Sequence, residues 1–136
     1  MSQTIFSKIL SKEIPNHTVF QNEHVLAFLD IFPHAKGHTV VIPKKEVEFI
    51  EQLTDQEIAH FFVGVKETMA TLQKILKPKG FNVGWNHGEV AGQAVKHLHV
   101  HIMPRWSDDG GGSQHSIINN PGDIDVKEVA KLFIKK

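Results

Sequence analysis

The pattern of apolar and polar residues predicts short strands in the first third of the chain. Two apolar segments, Thr18–Gln21 and Val25–Leu29, flank a polar pair, which is typical of a β-hairpin. A third strand is predicted at His38–Ile42, and we expect it to end at Pro43, because proline donates no hydrogen bond to a sheet. Before the hairpin, Phe6–Leu10 indicates a short helical turn.

The next segment repeats its apolar residues with the period of an α-helix. Thr54 and Glu57 form a capping box, which marks the first residues of a helix. Apolar side chains then recur three or four positions apart, at Ile58, Phe61, Phe62, Val65, Met69, Leu72 and Leu76. Pro78 and Gly80 indicate the end of this helix, and a shorter helical piece at Val47–Leu53 precedes it.

The last third of the chain continues with strands and finishes with a helix. We predict strands at Phe81–Asn86 and His97–Met103, with Pro104 ending the second. A glycine-rich segment at about residues 107–116 is expected to be a flexible loop, and a final helix runs from Asp125 towards Lys136. Strands that meander around one long helix, instead of alternating with helices, predict an α+β fold with an antiparallel sheet.

Composition and charge narrow the classes of function. The chain has 136 residues, which suits a single domain spanning residues 1–136. Fifteen basic residues balance 15 acidic ones, so the positive surface expected of a protein that binds a nucleic acid polymer is missing. No apolar run is long enough to span a membrane and no signal peptide opens the chain, so we expect a cytoplasmic protein without membrane contact. With no cysteine, disulfides and thiolate metal sites are excluded.

Three histidines at alternate positions are the strongest chemical signal. His97, His99 and His101 would share one face of an extended strand, with apolar residues on the other face. Imidazole titrates near neutral pH, so three of them could supply a nucleophile, a proton donor and an orienting partner, or could bind a metal. The plain alternative is a wet strand face with no chemistry.

The loop before these histidines offers amide groups and flexible backbone. Gly88 and Gly92 allow a backbone to approach a ligand closely, and Asn86 and Gln93 carry amide donors that suit a phosphate oxygen. Alternatively, the two amides only satisfy the backbone of their own loop.

The residues around the histidines resemble a known signature. The segment Gly92–Arg105 is similar to the signature of the histidine triad (HIT) superfamily, in which histidines alternate with apolar residues after a Gly-Gln-x-Val. Further segments resemble the Hint branch and the bacterial Hit-like proteins in the same order, namely Ile5–Ile9, Glu13–Pro15, Ala27–Ile31 and Gly37–Lys44. The resemblance covers roughly residues 4 to 106.

The resemblance implies a HIT-like fold and a nucleotide hydrolase or nucleotidyl transferase. Its expected substrates are purine nucleoside phosphoramidates or related nucleotides such as dinucleoside polyphosphates, attacked at the α-phosphate through a covalent nucleotidyl-histidine and without a cofactor. By resemblance, His99 is the nucleophile, and the backbone carbonyl of His97 orients it. His101 contacts the phosphate and the leaving group, and His38 is an additional histidine of the pocket.

The same resemblance implies a nucleotide site and a homodimer. Asp30 would hold the ribose hydroxyls, while Ile31 and Phe32 would form part of a wall against an AMP-type or GMP-type base. Asn86 and Gln93 would contact ribose-phosphate and α-phosphate oxygens. For Ile31, core packing is an equal alternative.

Some positions depart from the family pattern, and, separately from these departures, two alternative functions stay open. Thr4 and Ser7 stand where many bacterial relatives carry cysteines of a structural zinc site, and Ala94 replaces a serine common in the Hint branch. One alternative is a nucleotide-binding regulatory protein without turnover. The other is a metalloenzyme whose ligands are His97, His99, His101 and His38, although no glutamate follows at the spacing of a cupin motif.

Overall fold

Five strands form one antiparallel sheet in the computed structural model, which describes residues 3–134. Along the chain the strands are β1 (Thr18–Gln21), β2 (Val25–Leu29), β3 (Thr39–Pro43), β4 (Gly80–Gly84) and β5 (Val100–Arg105). Their order across the sheet is β1-β2-β3-β5-β4, so β1 and β4 are its edges. The predicted hairpin and the α+β class with an antiparallel sheet are confirmed.

The chain has three helices, α1 (Ile5–Leu10), α2 (Asp55–Leu76) and α3 (Val126–Ile134). Of these, α1 and α2 pack against opposite faces of the sheet while α3 is exposed. Against α2 lies one apolar cluster, which includes Leu98, Val100 and Ile102. Against α1 lies a second cluster, built from Phe6, Ile9, Leu26, Phe28, Val40 and Ile42. Because alternate residues around β5 point to opposite faces, the histidines share the face that α1 covers.

The long helix starts where the capping box predicts. The Thr54 hydroxyl accepts a hydrogen bond from the Glu57 amide at 3.1 Å, and the Glu57 carboxylate accepts one from the Thr54 amide at 2.8 Å. After Leu76 the chain turns through Lys77 in a left-handed conformation, with φ of 53°. No helix within residues 3–134 is long and apolar enough to cross a membrane.

One glycine of α2 lets the helix approach the sheet closely. A Cβ atom built on Gly64 would lie 2.6 and 2.7 Å from the two methyl carbons of Val25 on β2. Real Cβ atoms essentially never come that close to another carbon. Position 64 therefore sets how near α2 lies to the sheet.

The histidine strand is shorter at its start than predicted. β5 begins at Val100, so His97 and His99 precede it. The Leu98 amide donates instead to the Val47 carbonyl at 2.7 Å, which draws this segment onto the chain after β3. Pro104 lies inside β5 rather than ending it, and it is tolerated because pairing with β3 stops at Ile102.

Other boundaries also differ from the sequence prediction. β3 is shifted by one residue and includes Pro43, which pairs with Val25. β4 is Gly80–Gly84 and not 81–86, and the helical piece expected at 47–53 is only a 3₁₀ turn at Ile50–Gln52. The final helix is present as α3 and every residue of it is exposed, while residues 135 and 136 of the predicted helix lie outside the described residues.

Candidate active site

His99 is held by the backbone of its own segment. Its Nδ1 lies 2.7 Å from the carbonyl oxygen of His97, and a carbonyl can only accept, so Nδ1 carries the hydrogen. The other ring nitrogen, Nε2, therefore keeps its lone pair. Phe6 packs edge-on against one side of the ring with centroids 5.0 Å apart, and His101 lies at 5.1 Å. The ring is therefore held in one orientation with a lone pair on Nε2.

A second group of polar side chains joins β5 to the loop between β2 and β3. His38 Nε2 lies 3.0 Å from His101 Nδ1 and 3.6 Å from the Asp30 carboxylate. The other carboxylate oxygen of Asp30 accepts a hydrogen bond from the Phe32 amide at 2.8 Å. His38 is buried, whereas His101 and Asp30 are half-buried, so the group is open to solvent on one side.

Burial keeps these imidazoles neutral near pH 7. Desolvation lowers the pKa of His97, His99 and His38 below the ordinary histidine value, and their hydrogen bonds or nearby carboxylates only partly oppose it. For His101, burial together with the neighbouring His99 and His38 lowers the pKa to about 4. A neutral His99 retains the lone pair that nucleophilic chemistry requires.

His97 occupies the core, so the face that the three imidazoles share is not open along its whole length. Its side chain is fully buried, with the ring centroid 5.9 Å from that of Phe6. The Nε2 hydrogen donates to the Pro43 carbonyl at 3.1 Å, and Nδ1 has no hydrogen-bond partner among the described residues. The side chain of His97 therefore packs in the core, while its carbonyl accepts the hydrogen bond that orients His99.

The start of α1 is anchored beside the histidines by side-chain hydrogen bonds. Thr4 and Ser7 form a reciprocal capping box, in which each hydroxyl accepts from the other residue's amide at 3.1 Å. The Ser7 hydroxyl also donates to the carboxylate of Glu46, which follows β3. Thr4 and Ser7 thus fix the start of the helix that holds Phe6 against His97 and His99.

A cavity of about 390 Å³ opens beside this cluster. Four of the predicted site residues line it, namely Asp30, His38, His101 and Asn86. Ile31 and Phe32 do not line it, and their side chains are 69% and 76% exposed. His99 does not line it either, but its ring is in contact with that of His101.

The side chain of Gln93 braces the loop. Its oxygen accepts from the Gly88 amide at 2.9 Å, and its nitrogen donates to the carbonyls of Glu48 and Val95 at 3.0 and 3.2 Å. The amide therefore has no free hydrogen for a phosphate in this structure. Gln93 thus follows the alternative in which its amide satisfies backbone groups and not a phosphate.

Several other residues line the cavity that the sequence did not predict as site residues, and His34 and Gln114 are among them. His34 lies in the loop between Asp30 and His38, and its position between two candidate residues was the available signal. Gln114 belongs to the glycine-rich segment, for which no periodicity predicts a location.

The glycine-rich segment is organised around Arg105, the last residue of β5. Its guanidinium donates to both carboxylate oxygens of Asp109, at 2.7 and 2.9 Å, and to the Gly112 carbonyl at 2.6 Å. This guanidinium holds the pKa of Asp109 well below its usual range. The contacts tie the segment predicted to be flexible to the strand that carries His101.

The four histidines of the metalloenzyme alternative do not converge on one point. His97 Nε2 and His99 Nδ1 are both directed at backbone carbonyls. Within residues 3–134 the candidate ligand group is instead Asp30, His38 and His101. The His34 amide donates to His38 Nδ1 at 3.2 Å, so the neutral ring carries its hydrogen on Nε2, the atom that a metal would need. The present hydrogen bonds therefore oppose metal binding at this group.

Comparison with known proteins relates most of the chain to one family. Residues 11–108 match a family model described as the HIT domain. An uncharacterized HIT-like protein of Methanocaldococcus jannaschii is 46% identical over 127 residues, which cover 93% of this chain and 95% of that protein. An AP-4-A phosphorylase of Mycobacterium tuberculosis is 38% identical over 92 residues, covering 67% of this chain but 47% of that longer protein.

Solved structures show the same relationship. A member of the HIT family from Bacillus subtilis has a TM-score of 0.81 and 37% identity, covering 99% of this chain and 97% of that one. A histidine triad nucleotide-binding protein from Candida albicans has a TM-score of 0.74 and 29% identity, covering 96% and 92% of the two chains.

Proposed function

This chain belongs to the HIT domain family, and from that premise we propose that it is a nucleotide-binding hydrolase or nucleotidyl transferase that acts through His99. The substrates we propose are purine nucleoside phosphoramidates or related nucleotides. Two relatives support a nucleotide substrate, since one is named an AP-4-A phosphorylase and another a histidine triad nucleotide-binding protein.

The observation that carries the proposal is the hydrogen bond between His99 Nδ1 and the His97 carbonyl. It leaves the lone pair of Nε2 free to bond to an α-phosphorus while the bond from phosphorus to the leaving group breaks. Water then attacks the same phosphorus, the bond to Nε2 breaks, and the nucleotide is released with His99 restored. The low pKa of His99 keeps the nucleophile unprotonated at neutral pH.

The rest of the cavity suits a nucleotide. The Asp30 carboxylate can accept hydrogen bonds from ribose hydroxyls, and Asn86 offers an amide on the same cavity wall. His101 is placed between the nucleophile and the cavity, where it can contact phosphoryl oxygens. Ile31 and Phe32, exposed beside Asp30, remain the proposed wall against the base.

Two further parts of the proposal come from the sequence, the dimer from the family resemblance and the location from the lack of a predicted signal peptide or membrane span. We propose that the chain acts as a homodimer and that it works in the cytoplasm. For the dimer, the family resemblance implies the long helix α2 and a strand edge as the contact surfaces, and the edge strands of this sheet are β1 and β4.

The test is AMP release from adenosine 5′-phosphoramidate by the wild type and by His99→Ala, each with and without a chelator. We expect release that the chelator does not change and that falls by more than about a thousandfold in the variant. Circular dichroism of both proteins controls for folding.

The other outcomes separate the alternatives. Activity of folded His99→Ala close to the wild-type value would reject the nucleophile. Loss of wild-type activity with chelator, restored by a divalent metal, would favour the metalloenzyme. AMP binding without release from phosphoramidates or dinucleoside polyphosphates would favour a regulatory binding protein.

A further inference from the structure

We propose that the main-chain amide of His34 sets the tautomers of two site histidines, so that His101 presents an N–H group to the substrate. The role of this N–H rests on the proposed function, but the tautomers themselves do not. His34 is thus a positioning residue that acts through its backbone.

The first step is the tautomer of His38. The His34 amide can only donate, and it lies 3.2 Å from His38 Nδ1, so that nitrogen must be the acceptor. In a neutral ring the hydrogen then sits on Nε2. The surroundings of Nε2 agree, because the Asp30 carboxylate at 3.6 Å favours a hydrogen on that side.

The second step fixes the tautomer of His101. Because His38 Nε2 bears the hydrogen, it donates across the 3.0 Å contact to His101 Nδ1, which must accept. The hydrogen of neutral His101 is therefore on Nε2, the nitrogen not engaged by His38. His101 lines the cavity next to His99, so this N–H is available to a phosphoryl oxygen of a substrate attacked by His99.

The loop that holds His34 is itself fixed at both ends. The Asp30 amide donates to the His38 carbonyl at 2.9 Å, and the His38 amide donates to the Ala35 carbonyl at 3.1 Å. These bonds close the segment from 30 to 38 into a ring of backbone contacts, and the amide of residue 34 points inward at the imidazole. A neutral histidine that donates one N–H stabilises negative charge without needing to be protonated first.

As a consequence, His99 and His101 present opposite kinds of ring nitrogen to the site. His99 carries its hydrogen on Nδ1 because of the His97 carbonyl, whereas His101 carries its hydrogen on Nε2 because of His38. One ring thus offers a lone pair and the other offers a donor. The opposite tautomers follow from two backbone groups, the His97 carbonyl and the His34 amide.

The experiment is ¹⁵N-histidine NMR of the full chain at neutral pH without substrate, using long-range ¹H–¹⁵N correlations that distinguish the two tautomers. Signals are assigned with His38→Gln, His99→Gln and His101→Gln, one at a time. We expect the Nε2–H tautomer for His38 and His101 and the Nδ1–H tautomer for His99. An Nδ1–H tautomer at His38 in the wild type would overturn the proposal.

Two variants at position 34 test the cause. His34→Pro removes the amide hydrogen, whereas the matched control His34→Ala keeps it and removes only the imidazole. We expect the tautomers of His38 and His101 to change in the proline variant and to stay unchanged in the alanine variant. Unchanged tautomers in a folded proline variant, or an altered His38 tautomer in the alanine variant, would overturn the role of the amide. If the proline variant does not fold, the wild-type and His34→Ala spectra still test the proposal, because an Nδ1–H tautomer at His38 in either protein is incompatible with a hydrogen bond donated by the His34 amide.

The failure of this inference differs from failure of the proposed function. Tautomers as expected with no release of AMP would leave the hydrogen-bond order intact and reject the phosphoramidate substrate. AMP release with an Nδ1–H tautomer at His38 would reject this inference and leave the proposed function standing.

Discussion

The Nδ1 atom of His99 is 2.7 Å from the carbonyl oxygen of His97, so the first triad residue orients the second through its main chain. Any residue at position 97 would supply that carbonyl. The side chain of His97 has a different task, because it is fully buried under Phe6 and hydrogen-bonded to the Pro43 carbonyl. The two adjacent triad members therefore differ in what their imidazoles do.

The full burial of His97 predicts that its replacement costs more stability than replacement of His101, the half-buried triad member. His97→Ala removes a buried ring and its hydrogen bond, so we expect the free energy of unfolding to fall by about 2–4 kcal/mol. His101→Ala, at a half-buried position, should cost less than about 1.5 kcal/mol. Urea denaturation of both variants makes the comparison, and an equal loss of stability would contradict the separate roles.

The lowered pKa of His101 predicts a dependence of stability on pH. An unfolded histidine titrates near 6.5, whereas His101 in the folded chain titrates at about 4. Between these values the unfolded state binds more protons, so the free energy of unfolding falls as pH falls from 6.5 to 4. We expect urea midpoints to show a smaller decrease over this range in His101→Gln than in the wild type. An identical decrease in both proteins would contradict the assignment.

The contact of Gly64 with Val25 predicts that a single methyl group is destabilising. Alanine would improve helix propensity by about 1 kcal/mol, but its Cβ would lie 2.6 Å from a methyl carbon of a fully buried, stiff side chain. We expect overpacking to win, with a net loss of about 1–3 kcal/mol in the free energy of unfolding.

Gly80→Ala is the matched control, because a Cβ there has no heavy atom within 4 Å. We expect its thermal midpoint to stay near that of the wild type. A Gly64→Ala protein at least as stable as the wild type would show that the helix moves away from the sheet at little cost.

The contacts of Arg105 predict that one side chain protects the glycine-rich segment. Arg105→Ala should make limited proteolysis between residues 107 and 116 at least severalfold faster, because the bidentate bond to Asp109 is lost. Arg105→Lys should not restore protection, since lysine lacks the planar fork of donors. Lys45→Ala, which breaks an exposed pair with Glu57, is the control and should leave the cleavage rate unchanged. Equal cleavage rates for all variants would reject the clamp.

Local patterns in the sequence predicted most of the fold. The period-2 hairpin, the capping box of Thr54 and the apolar stripe of α2 are signals that neighbouring residues carry. The predicted start of β5 was wrong because the Leu98 amide donates to the Val47 carbonyl, about 50 positions earlier in the chain. A pattern among neighbouring residues cannot predict such a long-range contact.

The site shows the same division between local and long-range information. Alternation around β5 correctly grouped the histidines on one face, but burial of His97 depends on α1, which closes over it from the other end of the chain. Gln93 was assigned to phosphate because of its chemistry, yet three backbone groups engage its amide. His34 was missed because its contribution is a main-chain amide, which is the same in every residue except proline.

The close approach of Gly64 to Val25 has a consequence for how this sequence can diverge. A larger residue at position 64 fits only after position 25 has become smaller, so the order in which the two substitutions arise matters. Reversing that order passes through an overpacked intermediate. The two positions are therefore expected to be epistatic. The pairs of residues that occur at positions 64 and 25 in related sequences would show in which order this helix–sheet contact has changed.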